Sequence, residues 1–154
     1  MYYFILIIAA VAVDQLIKKL VVDTMALYET IPVLQDIFHI TYIRNTGAAF
    51  SIMEGQLSFL ILMPVVMIAA AVVFMIIKRK TAHPLLMTSL AMIAGGGIGN
   101  LIDRVALGYV VDYLDFRVFP IFNAADIFVC VGCGLLILYV IFIDGKQDGK
   151  RNDI

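Results

Sequence analysis

FNAADIFVCVGCGLLILYVIFI, residues 122–143, decides the fold. Beyond its fifth residue it carries no charge, and it is long enough to cross the ~30 Å hydrocarbon core of a bilayer as a helix. It opens with Asn123 and Asp126, three residues apart and therefore on one helical face. An Asp at the centre of a membrane helix costs about 2.5–3.5 kcal/mol. A carboxylate kept at the mouth of such a helix needs something to face.

Three more apolar runs are long enough to span, at about 2–22, 57–77 and 84–102. The chain is 63% hydrophobic and 15% charged with mean hydropathy +1.02, more apolar surface than a soluble fold of 154 residues can hide. Its net charge of −1 provides no basic field, so nucleic acid is not an expected partner. The expected fold is an all-α membrane protein, one domain over 1–154. It has four transmembrane helices, an outer segment between helices 1 and 2, and a polar tail at 144–154. The N-terminus has no basic region and no A-x-A cleavage site, so the first run is expected to stay in place as a helix.

Four spans place both termini on one side. Lys78, Arg79, Lys80, Lys146, Lys150 and Arg151 then share that side, which the positive-inside rule makes the cytoplasm. Lys18, Lys19, Arg44, Arg104 and Arg117 fall toward the other side, where local roles would account for some of them. The outer segment at about 23–56 is rich in β-branched and aromatic residues and alternates around Phe38–Tyr42, which predicts short strands; Asn45-Thr46-Gly47 predicts a turn.

The ionisable groups in the spans cluster. Asp14 and Lys18 stand at i, i+4 and can pair, either to pin the outer end of the first span or to support a site. The third span ends GGGIGNLIDR. Gly95, Gly96, Gly97 and Gly99 admit a close helix neighbour. Asn100, Asp103 and Arg104 follow at i, i+3 and i+4, and Arg104 beside Asp103 suggests a scaffold carboxylate rather than a proton shuttle. The segment that follows carries Asp112 and Asp115, the latter near Arg117. If the fourth helix packs on the third, this segment can fold back toward Asp126. Two carboxylates close together in a low dielectric share one proton, which makes an acid/base pair for peptide hydrolysis without a covalent intermediate. From the residues alone, Asp103, Asp112 or Asp115 could partner Asp126.

Other chemistries are poorly served. Cys130 and Cys133 have C-x-x-C spacing but no βαβ context and no second ligand pair, so they are expected to be small apolar packing residues. His39 and His83 are far apart in sequence, no H-E-x-x-H spacing exists, and no serine has a histidine partner. A small proton-coupled transporter is the alternative that intramembrane charges allow, but it predicts charges spread along a path through several spans. An assembly factor would use the glycine face and leave the aspartates and asparagines unexplained.

Read in order, Asp14-Gln15 with Lys18, RNTGAAF (44–50), GNLIDR (99–104), VVDY (110–113) and FNAAD (122–126) resemble the signal peptidase II family, the bacterial lipoprotein signal peptidases. The likeness runs over nearly the whole chain and in the family's order. It implies an intramembrane aspartyl endopeptidase of the bacterial inner membrane, with a small extracytoplasmic β-cradle between helices 1 and 2 and needing no metal and no other cofactor. Such an enzyme cleaves prolipoproteins just before a diacylglyceryl-modified cysteine and is inhibited by globomycin. By motif match the catalytic pair is Asp112 and Asp126. Asn45, Gly47, Asn100, Arg104 and Asn123 are expected to hold substrate and orient the pair, while Asp14, Lys18 and Asp103 support the site. The expected state is a monomer with its active site near the extracytoplasmic leaflet, in contact with membrane lipid.

Overall fold

The computed structural model describes residues 2–47 and 56–144. The polar tail and the part of the outer segment at 48–55 lie outside the described residues. The element order is α1 (Tyr2–Thr24), β1 (Thr30–Leu34), β2 (Phe38–Asn45), α2 (Leu57–Lys78), α3 (Pro84–Leu107), β3 (Val110–Asp115) and α4 (Ala124–Tyr139), which runs on as a π-helical turn over Val140–Asp144. Among the described residues, α2, α3 and α4 with its extension are long and apolar enough to cross a membrane. The fourth long helix, α1, has 23 residues but carries Asp14, Lys18, Lys19 and Asp23 in its second half.

The glycines make α3 the hub. A Cβ added to Gly95 would stand 2.8 Å from Ala10 Cβ of α1, and one on Gly97 3.1 Å from Ile68 Cδ1 of α2. On Gly96 it would overlap the carbonyl oxygen of Ala125 in α4. One short stretch thus admits the backbones of α1 and α4 and seats the Ile68 side chain of α2, the packing that small residues permit in membranes. Below this crossing, Ile7, Met75, Met87, Ala91 and Ala94 form the apolar core.

Helix ends are set by local chemistry. His83 caps α3, its Nδ1 accepting from the Leu85 N–H at 3.1 Å, and Pro84 takes the first helical position. At the other end Gly108 adopts φ 81°, a left-handed conformation that suits glycine, and its N–H reaches the Arg104 carbonyl. The chain then turns straight into β3. Asn123 and Asp126 form a reciprocal capping box at the start of α4.

The sheet corrects one expectation. Its strands are not drawn only from the segment between α1 and α2, because β3 comes from the connection between α3 and α4. The order is β1-β2-β3, antiparallel throughout. Val21 and Met25 at the end of α1 pack under Tyr42, Val111 and Tyr113. The sheet therefore sits over the end of the bundle where α1 and α3 finish and α4 begins. The basic turn Lys78-Arg79-Lys80 lies at the opposite end, where the His83 ring meets Tyr139 near the end of α4 at 5.7 Å.

Candidate active site

Two polar clusters lie side by side under the sheet. The first is an ion knot. Lys18 Nζ stands 2.9 Å from Asp14 Oδ2, 2.9 Å from Asp103 Oδ2 and 2.9 Å from Asn100 Oδ1, so its three ammonium hydrogens are all directed at acceptors. Gln15 Nε2 donates to Asp103 Oδ1 at 2.9 Å and to the Gly99 carbonyl at 3.1 Å. The remaining acceptor capacity is taken by backbone: the Ala125 N–H donates to Asp14 Oδ1 and the Val111 N–H to Asp103 Oδ2. The missing side chain at Gly99 makes room for this knot, since a Cβ there would lie 2.5 Å from Asp14 Oδ2. The knot as a whole thereby fastens α1, α3, β3 and α4 together.

The second cluster contains Asp112 and Asp126. Asp112 Oδ2 accepts from Asn45 Nδ2 at 2.9 Å, and Oδ1 from Asn123 Nδ2 at 2.6 Å. Asp126 Oδ1 accepts from Asn100 Nδ2 at 2.7 Å, and Oδ2 from the Asn123 N–H at 3.1 Å. Asn123 Nδ2 also reaches Asn100 Oδ1 at 3.1 Å. The two carboxylates are thus linked through two asparagines, and no cation among the described residues bonds either of them. The orientation of the Asn100 amide is fixed from behind, because its oxygen takes the Lys18 ammonium and its nitrogen is left for Asp126. Burial pushes the Asp112 carboxyl up to about 6; the Asn45 and Asn123 amides pull the other way, and the nearby charge of Asp126 adds to the rise.

Both carboxylates border one cavity of about 820 Å³, walled by Asn45 of β2, Asn100 and Arg104 of α3, Asp112 of β3, and Asp126 and Cys130 of α4. Arg104 Nη2 donates to the Gly47 carbonyl at 3.0 Å, which ties the strand-exit turn to α3. The Gly47 N–H donates to Asn45 Oδ1, so the expected turn is present and leaves the Asn45 amide nitrogen for Asp112.

Several sequence expectations change here. The cation that pairs with Asp103 is Lys18 rather than Arg104, because adjacent residues on a helix point about 100° apart. Asp115 is on the opposite face of the sheet from Asp112, where it accepts from Thr41 Oγ1 at 2.8 Å and pairs with Arg117 Nη1 at 3.1 Å. Of the three candidate partners for Asp126, Asp112 is the one that shares its cavity. Cys130 and Cys133 are exposed on the outer face of α4 rather than packed inside, and Cys130 borders the cavity. The ring nitrogens of His39 are buried without a hydrogen-bond partner among the described residues. Two contributors were missed: Gln15, and Tyr113, whose hydroxyl oxygen accepts from the Ala124 N–H at 3.2 Å. Gln15 stands three residues before Lys18, and that helical spacing was the available signal.

This arrangement of long apolar helices under a small sheet is that of a multi-pass membrane enzyme. A solved bacterial membrane enzyme superposes with TM-score 0.84 at 31% identity, covering 91% of this chain and 87% of that one. The family model for signal peptidase (SPase) II matches residues 6–142. The lipoprotein signal peptidase of Halothermothrix orenii is 44% identical over 137 residues, 89% of this chain and 93% of that protein. The lipoprotein signal peptidase of Brevibacillus brevis is 41% identical over 150 residues, 96% of this chain and 99% of that protein. The chain belongs to the signal peptidase II family.

Proposed function

We propose that the chain removes signal peptides from diacylglyceryl-modified prolipoproteins, cleaving before the lipidated cysteine, with Asp112 and Asp126 as an aspartyl pair. The observation that carries this reading is that the two carboxylates border one cavity and, among the described residues, are linked through amides, beside a separate cluster in which Lys18 bonds Asp14 and Asp103 directly. Asp112, the more deeply buried, holds the pair's proton and donates it toward the scissile carbonyl oxygen. Asp126 receives the Asn123 N–H at the start of α4, where the helix dipole favours negative charge, and takes a proton from the attacking water. The tetrahedral intermediate then collapses as Asp126 passes the water's proton to the leaving nitrogen and Asp112 recovers a proton from the diol hydroxyl. Arg104, Asn45 and the turn at Gly47 line the substrate's path, and Asp14, Lys18 and Asp103 hold the floor.

The topology follows from the same reading. Four spans, α1 included, place the basic turn at Lys78-Arg79-Lys80 in the cytoplasm with both termini. The sheet and the cavity then lie at the extracytoplasmic leaflet of the inner membrane, in contact with lipid. The enzyme acts as a monomer, and globomycin-type inhibitors occupy the cavity. The clustering of charge at the sheet end, with α2 uncharged until Lys78, argues against a transport path.

The test is gel-shift cleavage of a diacylglyceryl prolipoprotein by the detergent-purified chain. Globomycin-sensitive loss of the signal peptide, absent in Asp112→Asn and Asp126→Asn, is the expected result. Cleavage that survives either substitution removes that residue from the pair.

A further inference from the structure

β2 and β3 are out of step in the middle. Ile40 lies opposite Leu114, Ile43 opposite Asp112 and Asn45 opposite Val110. Two residues lie between Ile40 and Ile43, while one lies between Asp112 and Leu114. Strand β2 therefore carries one extra residue, and both Thr41 and Tyr42 turn to the buried face that packs on α1. The extra residue reverses the parity of everything after it. With strict alternation from Ile40, Arg44 would share a face with Asp112 and Asn45 would point away. With the bulge, Asn45 faces the cavity and its amide reaches Asp112 Oδ2 at 2.9 Å.

A side-chain clasp lies directly at the bulge. Thr41 is buried and donates its hydroxyl to Asp115 Oδ2 at 2.8 Å. The same carboxylate is held by Arg117 through its N–H at 2.8 Å and its guanidinium at 3.1 Å. These bonds lie on the sheet face away from the cavity. We infer that Thr41 and Asp115 are positioning residues for the proposed peptidase reaction: they pin the β2 bulge that aims Asn45 at Asp112. The inference rests on the assignment of Asp112 to the catalytic pair. The clasp touches no substrate. Asp115, a candidate acid on sequence grounds, acts here through two intermediaries.

The consequence is readable as a titration. The Asn45 amide favours the ionised form of Asp112, so misaiming it raises the Asp112 carboxyl. The charged groups that bear on Asp112 are Asp126 of α4, Lys18 of α1 and Arg104 of α3, and none belongs to the clasp.

The experiment measures kcat and KM against pH for the full-length chain in detergent, with a diacylglyceryl prolipoprotein as substrate. Thr41→Val is expected to lower kcat about ten-fold with KM within about two-fold. The pKa governed by Asp112 should rise by about half a unit or more, toward its value in Asn45→Ala. Thr41→Ser, which restores the hydroxyl, should restore both. In an Asn45→Ala background, Thr41→Val should add no further shift. If Thr41→Val does not accumulate, Asp115→Asn carries the same comparison. A Thr41→Val profile that superimposes on the wild type overturns the inference, as does an equal shift with and without Asn45. Turnover by Asp112→Asn is a separate outcome, and it would remove the catalytic assignment itself.

Discussion

The ion knot and the aspartate pair use the same side chains to opposite ends. Each has two buried or half-buried carboxylates, and they share a wall through Asn100. In the knot, a lysine lies 2.9 Å from both carboxylates and every remaining acceptor is filled by backbone or by Gln15. Nothing there is free to move a proton. In the pair, each carboxylate oxygen is held by a neutral amide or a backbone N–H, and a cavity opens beside them. Neutral donors orient a carboxylate without fixing its charge as firmly as a contacting ammonium does. Direct contact with a cation, present in the knot and not in the pair among the described residues, therefore separates scaffold from chemistry.

The sharpest test removes charge from each cluster in turn. Asp112→Asn and Asp126→Asn should each cut turnover by about a hundred- to ten-thousand-fold while leaving the thermal unfolding midpoint close to wild type. An amide keeps the shape of either side chain and no ion pair is lost; its nitrogen gives up one accepted hydrogen bond, which removal of a desolvated charge offsets. Parallel losses of activity and of unfolding temperature would erase the distinction between the two clusters.

Lys18→Met should do the reverse. It strands Asp14, which is 0% exposed, and Asp103, which is 3% exposed, without their cation. Breaking a buried ion pair by removing one partner costs about 3–5 kcal/mol, read as a lower unfolding midpoint in detergent. Adding Asp103→Asn should recover part of that loss, because it removes one of the stranded charges. A Lys18→Met protein as stable as wild type would mean that the knot is hydrated rather than sealed.

Much of this was legible in the chain. The glycines at 95–99, the Asp14–Lys18 spacing and the shared face of Asn123 and Asp126 act locally or at helical period, and sequence shows such periods directly. The third strand was not legible. Val110–Tyr113 is buried on both sides, so it lacks the alternation that marks a half-buried strand, and it passes for a connection between helices. Nor was the bulge, because a parity change shows only against a partner strand. Gln15 escaped because a search for charges ignores a neutral amide, even one that closes an ion knot.

The pH profile gives a smaller effect that refines the comparison. If Asp112 carries the pair's proton, activity requires it protonated, so kcat/KM should fall as pH rises through about 6, where that proton leaves the free enzyme. Substrate filling the cavity excludes water and disfavours the charged form further, which should carry the corresponding limb of kcat to higher pH. Asn45→Ala should move the limb upward, since it deletes a donor to the ionised form. A limb that stays in place in Asn45→Ala would show that Asp112 does not govern it.

The smallest effect should come from the cysteines. Both thiols are exposed on α4, outside the hydrogen-bond network of either cluster, so Cys130→Ala with Cys133→Ala should change activity by no more than about two-fold. The two positions still differ in what they border. Cys130 lies one turn beyond Asp126 on the cavity wall, whereas Cys133 is absent from that wall. A bulky maleimide on Cys130, in a Cys133→Ala background, should block cleavage, while the same reagent on Cys133 in a Cys130→Ala background should be tolerated. Inhibition at Cys130 alone would show that substrate enters along α4 toward the neutral-amide cluster. Equal tolerance at both positions would confine the working cavity to the space between Asp112, Asp126 and Arg104.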